Sequence, residues 1–266
     1  MLMEVKRNIN YIKKAIIYNL KSALEYKTSF FTQAVFMFIN NSFFLVFWKI
    51  VFNISSNQTN GLQMKNILYL WAIPTIGFGL SHLLFGGVEN ISKNLIDGGM
   101  DSYLTQPKNA FINIATSKCD FVAFGDLTYG LFVGIFAANN IQEYLLIVFY
   151  GILACIIMTA TMTIIRSLAG FVGEIEELAE RYEHVLLINF SVYPEEIFGK
   201  IVKLVLYTIV PAGYIVHLPI QIIHKFNIIQ FSILIIATII YIIIARVIFK
   251  EALNRYESGN AMILKG

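Results

Sequence analysis

Five ionisable side chains fall inside or at the edges of long apolar stretches: His82, Asp126, Glu143, Lys203 and His217. A charge in hydrocarbon is costly, so such residues mark ion paths, proton relays or internal pairs. Glu143 and Lys203 stand near predicted span ends, where water is close. Asp126 lies a few residues inside a span and is expected to pair with a basic group or stay interfacial. His82 is expected to act as a helix-packing donor. No proton relay or ion site is legible in this set.

Other chemistry is sparse. Asp97-Gly98-Gly99-Met100-Asp101 hints at an aspartate metal motif, but two aspartates without downstream partners read better as a glycine turn. The chain has no phosphate-binding glycine loop with Lys-Ser/Thr, no HExxH and no GxSxG. It is therefore not read as an enzyme, and it carries no nucleotide or metal cofactor of its own. Cys119 and Cys155 lack the spacing of a metal site and are expected to be free thiols used in packing. A net charge of +3 gives no reason to expect a nucleic-acid partner.

The elements that hold these residues are membrane spans. The 266 residues are 57% hydrophobic and 14% charged, against ~25% charged in soluble domains. Phe226 to Ala245 lacks any charged side chain, and a helix of that length rises ~30 Å, the thickness of a bilayer core. The composition predicts an all-α polytopic membrane protein, one transmembrane domain over 1–266, with about six transmembrane helices. These are about Phe30–Phe52, Ile67–Val88, Phe121–Ala138, Ile141–Ile165, Ile201–Ile223 and Phe226–Phe249. Gly77 and Gly79 are expected to allow close helix approach, and Pro74 to kink the second span. Pro211 and Pro219 interrupt the fifth.

Lys and Arg orient the spans. One set of connections holds Lys93, Lys108, Lys118, Arg166, Arg181, Lys200, Lys250, Arg255 and Lys265, with the N-terminal cluster. The opposite set holds only Lys65 and Lys225. Both termini are thus expected in the cytoplasm. Residues 1–27 set Ile9, Ile12, Ile16, Leu20 and Ala23 on one helical face, away from Lys6, Lys13, Lys14 and Lys21. That predicts an interfacial helix against anionic membrane lipids.

Two further segments read as cytoplasmic helices under the bundle, suited to meeting a partner. After span two, Val88, Ile91, Leu95 and Ile96 form one side of a short amphipathic helix that Gly98-Gly99 stops, and Pro107 stops the next. After span four, Leu168, Phe171, Val172, Ile175, Leu178, Tyr182, Val185 and Leu186 repeat at helical spacing. The other face carries Glu174, Glu176, Glu177, Glu180, Arg181 and Glu183, with Glu177 and Arg181 spaced to pair.

The order of these segments resembles the membrane subunits, or permeases, of ABC-2 type ATP-binding-cassette exporters. The basic amphipathic start leads into YKTSFFTQAVFMFINNSFFLVFWKIVF. Then come NLIDGGMDSYLTQPKN, YPEEIFGKIVKLVLYTIVPAGYIVHLP and the tail ALNRYESGN. The acidic Glu174–Glu183 stretch departs from relatives, which often have aromatic and apolar residues there. The resemblance implies a half-transporter of the cell membrane. A second permease, the same or different, would pair with it, and two separate cytoplasmic ATPases would dock beneath and bind the ATP. It also implies that Glu89–Pro107 is the coupling segment to the ATPase, through Glu89, Leu95, Gly98, Asp101, Leu104 and Pro107. Pro211 and Pro219 would belong to short re-entrant helices on the outer side. Apolar spans suit export of an amphiphile, such as a drug, peptide or lipid-like molecule. The alternatives are a lipid-modifying intramembrane enzyme or a non-transporting assembly or sensor subunit.

Overall fold

The computed structural model describes residues 2–25, 27–54 and 64–258. The loop around Asn57, the tail with Lys265, and the side chains of Lys6, Arg7, Ile9, Ala23 and Leu186 lie outside the described residues. All elements among the described residues are helical. Four helices are long and apolar enough to cross a membrane: the regions 27–53, 64–96, 141–172 and 228–254.

Helix α1 spans Leu2–Glu25 and α2 Lys27–Ile54. Helix α3, Met64–Phe85, contains Pro74. A 3-10 turn at Gly86–Asn90 leads into α4 (Ile91–Ile96), α5 (Asp101–Leu104) and α6 (Ala110–Ala115). Helix α7, Ala123–Ala137, is apolar but only 15 residues long. Its rise of ~22 Å falls short of a full bilayer core. Helix α8 is Ile141–Ser167, started by Asn140, whose side chain accepts from the Glu143 amide. The Glu143 carboxylate in turn accepts from the Asn139 amide, a reciprocal cap. Short helices α9 (Ala169–Val172), α10 (Glu176–Arg181) and α11 (Asn189–Val192) follow, the last two joined by a π-helical stretch at Tyr182–Ile188. Then come α12 (Lys200–Leu206), a π turn at Gly213–His217, α13 (Leu218–His224) and α14 (Ile228–Asn254).

Helices α3 and α8 are the centre, with 67% and 61% of their apolar windows buried, against 11% for α2 and 22% for α14. The close packing has a small-residue cause. A Cβ on Gly79 would stand 2.6 Å from the Leu127 amide nitrogen, and one on Gly77 2.6 Å from the Ala154 Cβ. These glycines let α7 and α8 flank α3 at backbone distance, as expected. Side-chain contacts fix directions. Tyr69 and Lys65 of α3 reach Glu143 of α8, so those helices run parallel. Phe38 of α2 packs edge-on to Tyr129 of α7, also parallel. One end of the bundle therefore carries Lys65, Asn66 and Glu143, and the other carries Phe85, Arg166 and Asn254.

Two expectations are corrected between Arg166 and Phe226. The acidic segment is not a helix lying under the bundle. Gly173, at φ +86°, breaks it, and Glu176–Val192 climbs antiparallel to α3. Glu176 sits by Arg166 at one end, while Pro194 and Glu195 share a small pocket with Asn66 and Leu70 at the other. Lys200 therefore belongs with Lys65, not with the basic set at the Arg166 end. Nor does Ile201–Ile223 run from one end of the bundle to the other as an interrupted span. It is a hairpin with both ends at the Lys65 end: Lys203 pairs with Glu195 at 3.8 Å, and His224 meets the Asn66 side chain at 3.0 Å. Its bend, Tyr207–Ala212, is held by Tyr182 on the Ile209 carbonyl (2.5 Å) and Tyr241 on the Thr208 carbonyl (2.9 Å). Pro211 stands in the bend and Pro219 in the first turn of α13, where a proline lacks no needed N–H.

Candidate functional site

At the Arg166 end, the segment from Gly86 to Asn109 closes the bundle. Its 3-10 turn is possible because Gly87 has no side chain: a Cβ there would lie 1.8 Å from the Ile114 carbonyl of α6. Val88, Ile91 and Leu95 are buried and Ile96 is half-buried, as their spacing predicts. Lys93 and Asp97 face outward.

An ion-pair network anchors this turn to the helices above it. Glu89 reaches Lys118 at 2.7 Å with one oxygen and His82 Nε2 of α3 at 3.4 Å with the other. That hydrogen bond holds the Lys118 ammonium above its ordinary pKa. His82 Nε2 also lies 2.8 Å from Glu183, in the π-helical stretch. Arg166, at the foot of α8, is 2.7 Å from Glu176 and 3.7 Å from Glu183. Ser92 of α4 donates to Glu176. The Arg166 and Glu183 side chains are only 3% and 5% exposed. A buried pair of this kind contributes little net stability when intact, but removing one partner strands a charge at about 3–5 kcal/mol. The network thus fixes the relative position of α3, α4, α8 and the Glu176–Val192 path.

The buried face of that path runs Ile175, Ala179, Glu183, Leu187 and Ser191. Leu178 and Val185, from the predicted apolar stripe, point outward instead, at 67% and 55% exposure. The expectation that Glu183 lies on a solvated face is therefore corrected. Glu183 turns inward to His82 and Arg166, while Glu177, Glu180 and Arg181 stay exposed beside Leu178 and Val185. The i,i+4 pair of Glu177 and Arg181 forms as expected, at 2.8 Å, on the surface.

The rest of the segment is a turn held from outside. Gly98 adopts φ +80°, in the left-handed region that favours glycine. Its carbonyl accepts from the Tyr256 hydroxyl of the C-terminal tail. Asp101 does not cap α5, which has no side-chain cap; it accepts from Ser258 Oγ at 2.6 Å. Burial and the Asp101 contact push the Tyr256 phenol above its usual pKa, keeping it a donor. Leu104 and Pro107 are exposed, along with Ser102, Gln106 and Lys108. Helix α1 braces the other flank. Tyr11 donates to Asn113 at 2.6 Å, Asn19 meets Cys119, and Lys108 sits 3.8 Å over the Tyr11 ring. Lys13, Lys14 and Lys21 stay exposed, as expected.

The remaining singled-out residues do not join this site. Asp126, in the first turn of α7, is buried and takes a hydrogen bond from Asn41 at 2.6 Å rather than pairing with a basic group. Glu143 and Lys203 serve the Lys65 end, and His217 is buried there in the pocket with Glu195. Cys119 and Cys155 are free thiols, and burial raises the pKa of Cys119. Among the described residues no group of three or more His, Cys, Asp or Glu is placed to hold a metal. Glu183, Arg166 and His82 as a trio were missed in the sequence. Their signals were His82 inside a span, the departure from relatives at Glu183 and an arginine at a span's end, with nothing in the sequence to join the three.

A family model described as ABC-2 family transporter protein matches residues 38–260. No curated protein and no solved structure matches the chain significantly. Membrane proteins of that family generally work with ABC ATPase partners. With apolar spanning helices, no strand among the described residues and a match across most of its length, this chain is a membrane protein that belongs to the ABC-2 transporter family.

Proposed function

We propose that this protein is the permease subunit of an ATP-driven exporter, a single domain working with a separate cytoplasmic ATPase and a second permease. The chain crosses the cell membrane six times, by α2, α3, α7, α8, Glu176–Val192 and α14, with the Arg166 end and both termini in the cytoplasm. The hairpin of α12 and α13 enters from outside and returns. Glu89–Pro107 is the coupling element. One observation carries this reading: the segment is tied by Glu89, Ser92 and Gly98 to three separate parts of the bundle, yet leaves Ser102–Lys108 exposed. A docked ATPase moving that tip would move His82, Glu183 and Arg166 with it. The cargo is an amphiphile, since the spans offer apolar surface and few charges.

The test is co-expression with a candidate ATPase and a cysteine at Gln106. A thiol crosslink from Gln106→Cys to the ATPase, absent from Lys49→Cys, supports the docking. An ATPase that co-purifies without any crosslink from Ser102, Gln106 or Lys108 variants overturns it.

A further inference from the structure

Beside the coupling element, between α8 and α14, lies a cavity of about 410 Å³. Ile156 and Ala160 of α8, Ile242 and Phe249 of α14, and Phe111 of α6 line it, and no lining residue is acidic. Exposed Ile242 and Arg246 border it, so it opens sideways, where lipid would be. Arg246 is its one charged lining residue and has no ion-pair partner among the described residues. From Ile228, Arg246 is ~27 Å along the helix, near the level of the opposite leaflet's headgroups. Guanidinium always carries its charge and matches phosphate in a two-point fork.

We infer that this cavity holds one acyl chain of an anionic phospholipid from the cytoplasmic leaflet, with its phosphate on Arg246. The chemistry is split as such a ligand is split. An apolar slot accepts the chain, and a single unpaired cation stands at headgroup depth. A zwitterionic headgroup supplies its own cation and gains less from Arg246. Phe111 of α6 lines the slot, so the lipid would also touch the helix that follows the segment proposed to couple to the ATPase. The choice of leaflet rests on the orientation proposed above; the cavity and its charge require only that the chain is a membrane protein, and the test involves no transport.

The full chain in nanodiscs is irradiated with phosphatidylglycerol bearing a diazirine on one chain, or with the equally labelled phosphatidylcholine. Label is mapped by peptide mass spectrometry. Peptides covering 152–163 and 242–249 should be labelled about fivefold more with phosphatidylglycerol, the ratio one basic residue contributes near an anionic headgroup. Arg246→Gln should erase that preference, and Ala160→Phe, which fills the slot, should remove most of the label there while leaving label on α2 unchanged. Equal labelling by both lipids, or label at 152–163 that survives Ala160→Phe, overturns the proposal.

Discussion

The Tyr256 hydroxyl donates to the carbonyl of Gly98, two residues 158 positions apart. Ser258 adds a second contact to Asp101, and Arg255 stacks 4.4 Å from the Phe171 ring centre. The tail thus grips the turn from below while the ion-pair network holds it from above. The turn closes with the Met100 amide on the Asn94 carbonyl at 3.2 Å, and these outside contacts tie it to the tail.

Tyr256→Phe combined with Ser258→Ala should therefore loosen the turn without unfolding the bundle. Each lost hydrogen bond contributes about 0.5–1.5 kcal/mol. Amide exchange in residues 98–104 should rise roughly 5- to 100-fold in the double variant. Exchange at the level of the parent protein would show that the tail does not hold the turn.

Glu183→Ala leaves His82 without its nearest carboxylate and weakens the setting of Arg166. The loss should be about 3–5 kcal/mol, seen as a lower melting temperature of the detergent-purified protein. Glu183→Gln keeps the volume and one acceptor and should cost less, about 1–3 kcal/mol. Parent-like melting of both variants would mean that the network is not formed.

Gly98→Val forces a β-branched residue into φ +80°, at a cost of at least about 1–2 kcal/mol. The variant should reach the membrane at normal level yet fail to co-purify the ATPase or fail to couple hydrolysis to transport. Retained transport and ATPase binding in both this variant and an all-alanine Ser92–Ile96 segment would remove the coupling assignment.

Single cysteines at Leu104, Glu196 and Asn57 report topology, in a background with Cys119 and Cys155 replaced. Leu104→Cys should react with an impermeant maleimide only from the cytoplasmic side. Glu196→Cys should react only from outside, as should Asn57→Cys, which lies outside the described residues. Labelling of Glu196→Cys from the cytoplasm would restore the reading in which the acidic segment stays below the bundle.

Most of the helical plan was readable from the residues alone. A long apolar run has one solution in lipid, because every backbone N–H must be bonded within its own helix. That places α2, α3, α8 and α14 to within a few residues. Local rules also reached Gly98, where a turn needs φ above zero, and the buried Val88, Ile91 and Leu95. What sequence could not supply is which polar residues are inside. Glu183 stands in an acidic stretch that reads as a wet helix face, until His82 and Arg166 arrive from helices far away in the chain. The apolar stripe of Leu178 and Val185 reads as a core-facing side and is exposed in the structure. Proline breaks made Ile201–Ile223 look like an interrupted span, and only the contacts of Lys203 and His224 at one end turn it into a hairpin. Periodicity measures one face of one helix. Which solvent that face meets, and which distant charge stands opposite it, is decided by packing.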